Sequence, residues 1–185
     1  MMKTKVLLLF TAIAVMSCGS HSKKTVSQAQ SQQLDDLMAN KSFEIVSDWA
    51  SPLATSSLNS VANAGLMGPG SNAGHINLIG NSNYLRIEGD SVSAYLPYFG
   101  ERQMGGGYDS DNGNIQFEGV PEDYEISQDE QTKRYEISFK IRRKAENFTV
   151  RAILMPNLSS TFNVNSSQRF PIRYQGKVSK ISKEE

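Results

Sequence analysis

The chain is poor in the residues on which most active sites are built. Of its 185 residues one is cysteine, one tryptophan and two are histidine. A lone cysteine excludes an intrachain disulfide and any Cys-based metal cluster. Histidines at 21 and 75 alone leave no His-Glu-x-x-His pair, and no Gly-x-Ser-x-Gly elbow or Ser-x-x-Lys is present. Charge of one sign is also missing: 19 basic residues face 19 acidic ones, so the basic excess that marks a nucleic-acid binder is absent. The longest apolar stretch, residues 6–16, has eleven residues, too few for a membrane-spanning helix of about 20. With 185 residues the chain suits one domain with a substantial core.

What is there begins at the N-terminus. In "MMKTKVLLLFTAIAVMSCGS", Lys3 and Lys5 precede the apolar run, as in a secretory signal. The run ends Val15-Met16-Ser17-Cys18, which resembles the lipobox of bacterial lipoproteins. That resemblance implies cleavage before Cys18, a lipid on its sulfur and an acylated new amino group. It also accounts for an otherwise unpaired cysteine in an exported chain. The implied organisation is a signal peptide over 1–17, a lipidated tether with a short helix over 18–41, a β domain over 42–180 and a tail over 181–185. Losing residues 1–17 removes Lys3 and Lys5 and leaves 17 basic against 19 acidic residues, net −2.

The tether is polar at first. From Val26 the apolar residues Val26, Ala29, Leu34, Leu37 and Met38 fall near one helical face and predict a weak amphipathic helix. It either packs on the domain or holds it off the membrane. From Phe43 the period becomes two, with Phe43, Ile45, Ser47 and Trp49 on one side. Residues 51–74, rich in serine, asparagine and glycine, lose the period and read as a long loop. Strands are expected again at 75–79, 84–88, 91–95 and 114–119, with "GNSN" and "GD" as turns.

The last third alternates most strictly. Tyr135, Ile137, Phe139 and Ile141 form one apolar row, Phe148, Val150, Ala152 and Leu154 another, and Phe170, Ile172, Tyr174 and Val178 a third. One buried and one wet face mean an antiparallel sheet. The chain therefore predicts a mainly β fold, a meander of about nine strands forming a barrel or sandwich, with a short N-terminal helix. A lipid-facing barrel also alternates, but strands of five or six residues fall short of the roughly 9–11 needed to span.

The stretch "LPYFGERQMGGGYDSDNG", residues 96–113, is the most unusual. It is no phosphate cradle: Gly-x-Gly-x-x-Gly is absent and a strand, not a helix, follows. Nor is it an EF-hand. Counting from Asp109, the sixth residue is Asn114 and the twelfth Val120, where glycine and glutamate are needed. Asp109, Asp111 and Asn112 read as a solvated turn, so no metal or other cofactor is expected. Tyr95, Tyr98, Phe99 and Tyr108 are the candidate residues for a ligand or partner, because aromatics with a polar tip suit binding surfaces; the competing reading has them cap the core. Glu101, Asp109, Asp111 and Glu118 are the only carboxylates whose clustering here would suit a hydrolase. With no assembled triad or metal set, the expectation is not an enzyme. Asp90-Ser91-Val92 resembles the O-glycosylation sequon of exported Bacteroidetes proteins, making Ser91 a candidate acceptor.

Taken together, the lipobox, "YLRIEGDSVSAYLPYFG", "NIQFEG" and "FPIRYQGKV" resemble a family of Bacteroidetes lipoproteins known as domain of unknown function 4251, over about residues 40–178. The resemblance implies an envelope location and brings no activity, substrate or site residue. Surface-exported lipoproteins of that lineage carry acidic residues after the lipidated cysteine. Here Gly19-Ser20-His21-Ser22-Lys23-Lys24 departs from that pattern and implies an outer-membrane protein facing the periplasm. The function expected is a lipid-anchored binding or structural module. Its partners would be the membrane, through the lipid on Cys18, and an envelope protein or small ligand. The alternatives are a carrier of a small apolar ligand in a barrel mouth and a hydrolase using the loop carboxylates.

Overall fold

The computed structural model describes residues 27–103 and 113–181. Two helices and ten strands follow in order: α1 (Gln28–Asn40), β1 (Ser42–Pro52), α2 (Ser56–Asn63), β2 (Ile76–Asn77), β3 (Tyr84–Glu88), β4 (Ser91–Leu96), β5 (Ile115–Gly119), β6 (Glu122–Gln128), β7 (Tyr135–Arg143), β8 (Glu146–Leu154), β9 (Ser159–Ser166) and β10 (Ile172–Ser179).

Nine strands form one antiparallel sheet in the order β5-β4-β3-β1-β10-β9-β8-β7-β6, and short β2 pairs with β1. The mainly β, antiparallel expectation holds, and the sheet is a half-barrel. Sequence neighbours pair within two meanders, β3 to β5 and β6 to β10, and β1 bridges them, joining β3 on one side and β10 on the other. The two end strands, β5 and β6, are joined by only Val120 and Pro121. The sheet curls far enough for Phe117 of β5 to pack edge-on against Phe139 of β7, 6.2 Å between rings, and against Phe148 of β8 at 5.5 Å. Across that seam the Arg143 guanidinium donates to the Gln116 carbonyl, 3.2 Å.

The predicted helix forms as α1 and packs on the domain. Leu34, Leu37 and Met38 are buried in the same core as Phe43, Phe139, Phe162 and Tyr174. Burial of each such side chain contributes about 1.5–3 kcal/mol. Ala29, expected on the apolar face, lies exposed one turn before the core begins. The helix ends at Lys41, whose backbone is left-handed at φ 46°, and β1 starts at the next residue. Asp35 ties the helix down by accepting from the Tyr135 hydroxyl at 2.8 Å and the Gln128 amide at 3.3 Å.

Three local expectations need correction. Residues 51–74 are not all loop, since α2 lies within them. Thr55 caps it by accepting from the Leu58 amide at 3.3 Å, and it buries no side chain. Trp49 does not share a face with Phe43, Ile45 and Ser47, because a bulge between Ser47 and Trp49 turns Ala50 and Pro52 inward instead. Gly176 of β10 makes that bulge fit: a Cβ there would sit 1.9 Å from the Val46 carbonyl oxygen. Lastly, β6 adds a strand that alternation does not predict, because only Tyr124 and Ile126 of its seven residues turn toward the core.

Candidate functional site

The aromatic stretch after β4 is brought to one end of the sheet and split between two roles. Beyond Leu96 the chain leaves β4, and residues 101–103 run antiparallel beside residues 168–170. Gln103 donates its amide to the Gln168 carbonyl at 2.8 Å, and Phe170 donates to Glu101 at 3.4 Å. Tyr98 shares its hydroxyl proton between the Glu101 and Phe170 carbonyls, at 3.0 and 3.2 Å. Burial raises the Tyr98 phenol above its ordinary range, an effect the nearby Arg169 partly offsets. Fully buried Tyr174 donates to the Pro97 carbonyl at 2.8 Å, and Phe99 packs against the core. Gly100 is needed beneath this, since a Cβ would lie 2.6 Å from the Tyr98 hydroxyl.

At the centre of this clamp lies Arg169, only 4% exposed. Its Nε donates to Glu146 Oε1 at 2.8 Å and one Nη to Oε2 at 3.3 Å. The other Nη donates to the Gly113 carbonyl, and the guanidinium stands 5.2 Å over the Tyr98 ring. Ser166 donates its hydroxyl to the same Glu146 oxygen, and Arg102 lies 4.0 Å from the other. Arg169 thus fastens the chain on both sides of residues 104–112. Tyr98 and Phe99 are half-buried and pack against the core, with the Tyr98 hydroxyl taken up by backbone carbonyls.

Tyr95 points the other way. On the outer face of the sheet a ladder crosses three strands and reaches Asn114, just before β5. Glu44 of β1 accepts from Arg86 of β3 at 2.9 Å, Arg86 lies over the Tyr84 ring at 4.2 Å, and Tyr84 stacks on Tyr95 of β4 with 6.4 Å between rings. Asn114 donates to the Tyr95 hydroxyl at 2.9 Å. A groove of about 160 Å³ opens here, lined among others by Tyr84, Ser93, Tyr95, Gln116, Glu118 and Arg143. Aromatic faces beside planar hydrogen-bonding side chains are the composition of recognition surfaces.

A second groove, about 270 Å³, lies at the seam between Gly89, Asp90 and Val92 on one side and Val120, Pro121 and Tyr124 on the other. The Tyr124 hydroxyl is buried there without a hydrogen-bond partner. Burial, with the Asp90 carboxylate nearby, raises its pKa. Lys41 Nζ sits 5.9 Å over its ring and 3.4 Å from Asp90.

The candidate carboxylates do not converge. Glu101 is exposed and held by Ser57 and Thr55, whose hydrogen bonds lower its pKa. Glu118 lies on the outer groove, opposite Ser93. Ser91 is exposed beside the tight β3–β4 turn. Cys18, Tyr108, Asp109 and Asp111 lie outside the described residues. Among the described residues no three His, Cys, Asp or Glu side chains gather as a metal would require. None of the described helices is long and apolar enough to cross a membrane. Sequence reasoning does not anticipate the Trp49–His75 stack, 4.2 Å and 16° between rings, with His75 Nδ1 3.4 Å from the Ser51 hydroxyl. The bulge creates it by turning Trp49 outward.

Comparison with known proteins places this geometry. None of the curated proteins matches the chain. Among solved structures, a DUF4251 family protein from Bacteroides eggerthii DSM 20697 superposes with a TM-score of 0.54 at 11% identity, covering 82% of this chain and 88% of that one. At that identity the likeness is one of fold. The family model for DUF4251, a domain of unknown function, matches residues 25–178, which takes in α1 and all of the sheet but Ser179, and the chain belongs to that family.

Proposed function

We propose that this domain is a binding module held on the bacterial cell envelope by the lipid on Cys18, without a catalytic centre of its own, and that it recognises its partner with the outside of the sheet. The observation that carries this reading is the filling of the concave face. A carrier of the kind small barrels form needs an apolar chamber of about 300 Å³ or more. Here Leu34, Leu37 and Met38 of α1 enter the curl of the sheet and join Phe43, Phe139, Phe162 and Tyr174 in one buried cluster. Recognition is then left to the outer surface, where Tyr95 and Tyr84 line a groove with hydrogen-bonding neighbours. The lipobox and the Lys23-Lys24 pair after it support attachment to the outer membrane on its periplasmic side. Ser91, exposed beside its turn, is accessible to an O-linked sugar.

The test joins anchoring to recognition. Cys18→Ala should move the protein from the membrane to the soluble fraction. A photo-crosslinking residue at Tyr95 in intact cells should give a discrete adduct that is lost with Tyr84→Ala. Unchanged membrane partition of Cys18→Ala would remove the anchor. A Tyr95 probe that crosslinks to nothing while the protein stays anchored would remove the recognition surface.

A further inference from the structure

Outward charge is sorted round the sheet. On β7 to β10 the side chains that alternate into solvent include five cations, Lys140, Arg142, Arg151, Arg173 and Lys177, against one carboxylate, Glu136. Glu136 is taken by Arg134 at 2.8 Å, and Lys140 by Asp123 of β6 at 2.7 Å. Among the described residues the other four cations have no carboxylate partner. Arg142 donates to the Lys144 carbonyl at 3.0 Å and Arg173 to the Asn163 amide oxygen at 3.1 Å, both neutral acceptors. Arg151, Asn163 and Arg173 stand in one register row across β8, β9 and β10, so the two arginines leave backbones about 10 Å apart. Aliphatic surface lies among them. Ile153 is 37% exposed, and Leu53, 49% exposed, lines a shallow groove of about 230 Å³ with Asn163, Pro171 and Arg173. The exposed carboxylates Glu88, Glu118 and Glu125 lie instead on β3, β5 and β6.

We infer that this basic face lies against an anionic phospholipid bilayer, the one that carries the chain's own lipid, and so fixes which way the domain faces. The inference rests on the reading of Cys18 as the lipid anchor. Ser27, where the described chain begins, is nine residues on from Cys18, a span of at most about 30 Å. The bilayer is therefore held beside the domain at high effective concentration. An acidic protein would meet the same cations, but nothing tethers one there. The four cations are spread over β7, β8 and β10 and do not converge on one point. A single phosphate or carboxylate could not meet them all, whereas a plane of anionic headgroups does. Ile153 and Leu53 enter the boundary between headgroups and acyl chains, while the guanidiniums stay with the phosphates. Because β4 stands four places from β9 in the strand order, this seating turns the Tyr84–Tyr95 groove away from the membrane and toward its partner.

The experiment uses the full lipidated chain in nanodiscs of phosphatidylcholine, with or without phosphatidylglycerol, each containing a lipid with a nitroxide headgroup. Asn165→Cys, on the basic face, and Ser93→Cys, on β4, each carry one thiol-linked fluorophore. The label at 165 should be quenched in the anionic discs only, and the label at 93 in neither. Raising the salt should release that quenching, since the attraction is screened. Arg151→Glu with Arg173→Glu should abolish it without moving the urea midpoint, as both side chains are exposed. Should the charge-reversed chain fail to fold, Arg151→Gln with Arg173→Gln serves in its place and should at least halve the quenching. Equal quenching in zwitterionic discs, stronger quenching at 93 than at 165, indifference to salt, or a variant that behaves as the parent would each overturn the inference. A chain that stays on anionic discs with its 165 label unquenched removes this inference and leaves the anchor standing. A chain that does not stay on the discs at all removes both.

Discussion

Arg169 and Glu146 form a two-pronged ion pair at the end of the sheet, at 2.8 and 3.3 Å, with only 4% and 9% of each residue exposed. Each charge is stable there because the other is present. Removing one partner strands the other, at a cost of about 3–5 kcal/mol. Arg169→Met should therefore lower stability by about that amount in urea unfolding. Arg169→Met combined with Glu146→Leu should recover most of the loss. Additive losses in the double-mutant cycle would mean that the pair does not act as a unit.

The neighbouring tyrosines should rank. Tyr174→Phe strips the one donor that the described residues offer the Pro97 carbonyl, in a fully buried place, and should cost about 1–3 kcal/mol. Tyr98→Phe should cost less, because the Glu101 carbonyl keeps the Phe170 amide as a donor. Chemical denaturation of both variants checks the order, and the reverse order would contradict it.

Gly176→Ala tests the bulge. The new methyl meets backbone atoms, Val46 O at 1.9 Å and Ser47 Cα at 2.6 Å, which cannot swing aside as a side chain can. A loss of at least about 2 kcal/mol is expected. The Trp49 fluorescence should change with it, because the same bulge presents Trp49 to His75.

The helix should prove part of the core. Leu34→Ala and Leu37→Ala should each cost about 2–5 kcal/mol in urea unfolding, as for truncations inside a sheet core. A loss near zero would mean that α1 only lies on the surface.

Alkaline pH should weaken the fold. Tyr135 is pushed up to about 12 by burial and by the Asp35 carboxylate it donates to, and burial raises Tyr98, Tyr124 and Tyr174 as well. For phenols raised in the folded state, the stabilisation is complete below the unfolded value of 10.0 and is lost as pH rises through the folded value. Urea midpoints should stay level up to pH 10 and fall between pH 10 and about 12. Tyr135→Phe should make that fall shallower, and an unaltered slope would discount its share.

Local chemistry in the sequence determined the strands and the helix. Period-two runs such as Tyr135, Ile137, Phe139 and Ile141 have one energetically good answer, because a one-residue slip turns every apolar side chain into water. The 3.6-residue spacing of Leu34, Leu37 and Met38 fixed α1 in the same way. The family, too, was legible in residues 96–100, because Tyr98, Gly100 and their neighbours are constrained by close packing.

What the sequence left open was decided by contacts between distant residues. Tyr95, Tyr98 and Phe99 are alike on paper. Tyr98 reaches the carbonyl of Phe170, 72 positions away, while Tyr95 lies on the opposite face against Tyr84. The seam groove exists because β5 and β6 end the sheet yet follow each other in the chain, which sets Val120 beside the Gly89–Asp90 turn and Tyr124. The bulge at Ser47 depends on Gly176 in another strand, so no reading of β1 alone could place Trp49. Periodicity is a property of neighbours in sequence and can be read there. Sites depend on which faces the curled sheet brings together, and only the tertiary structure sets that.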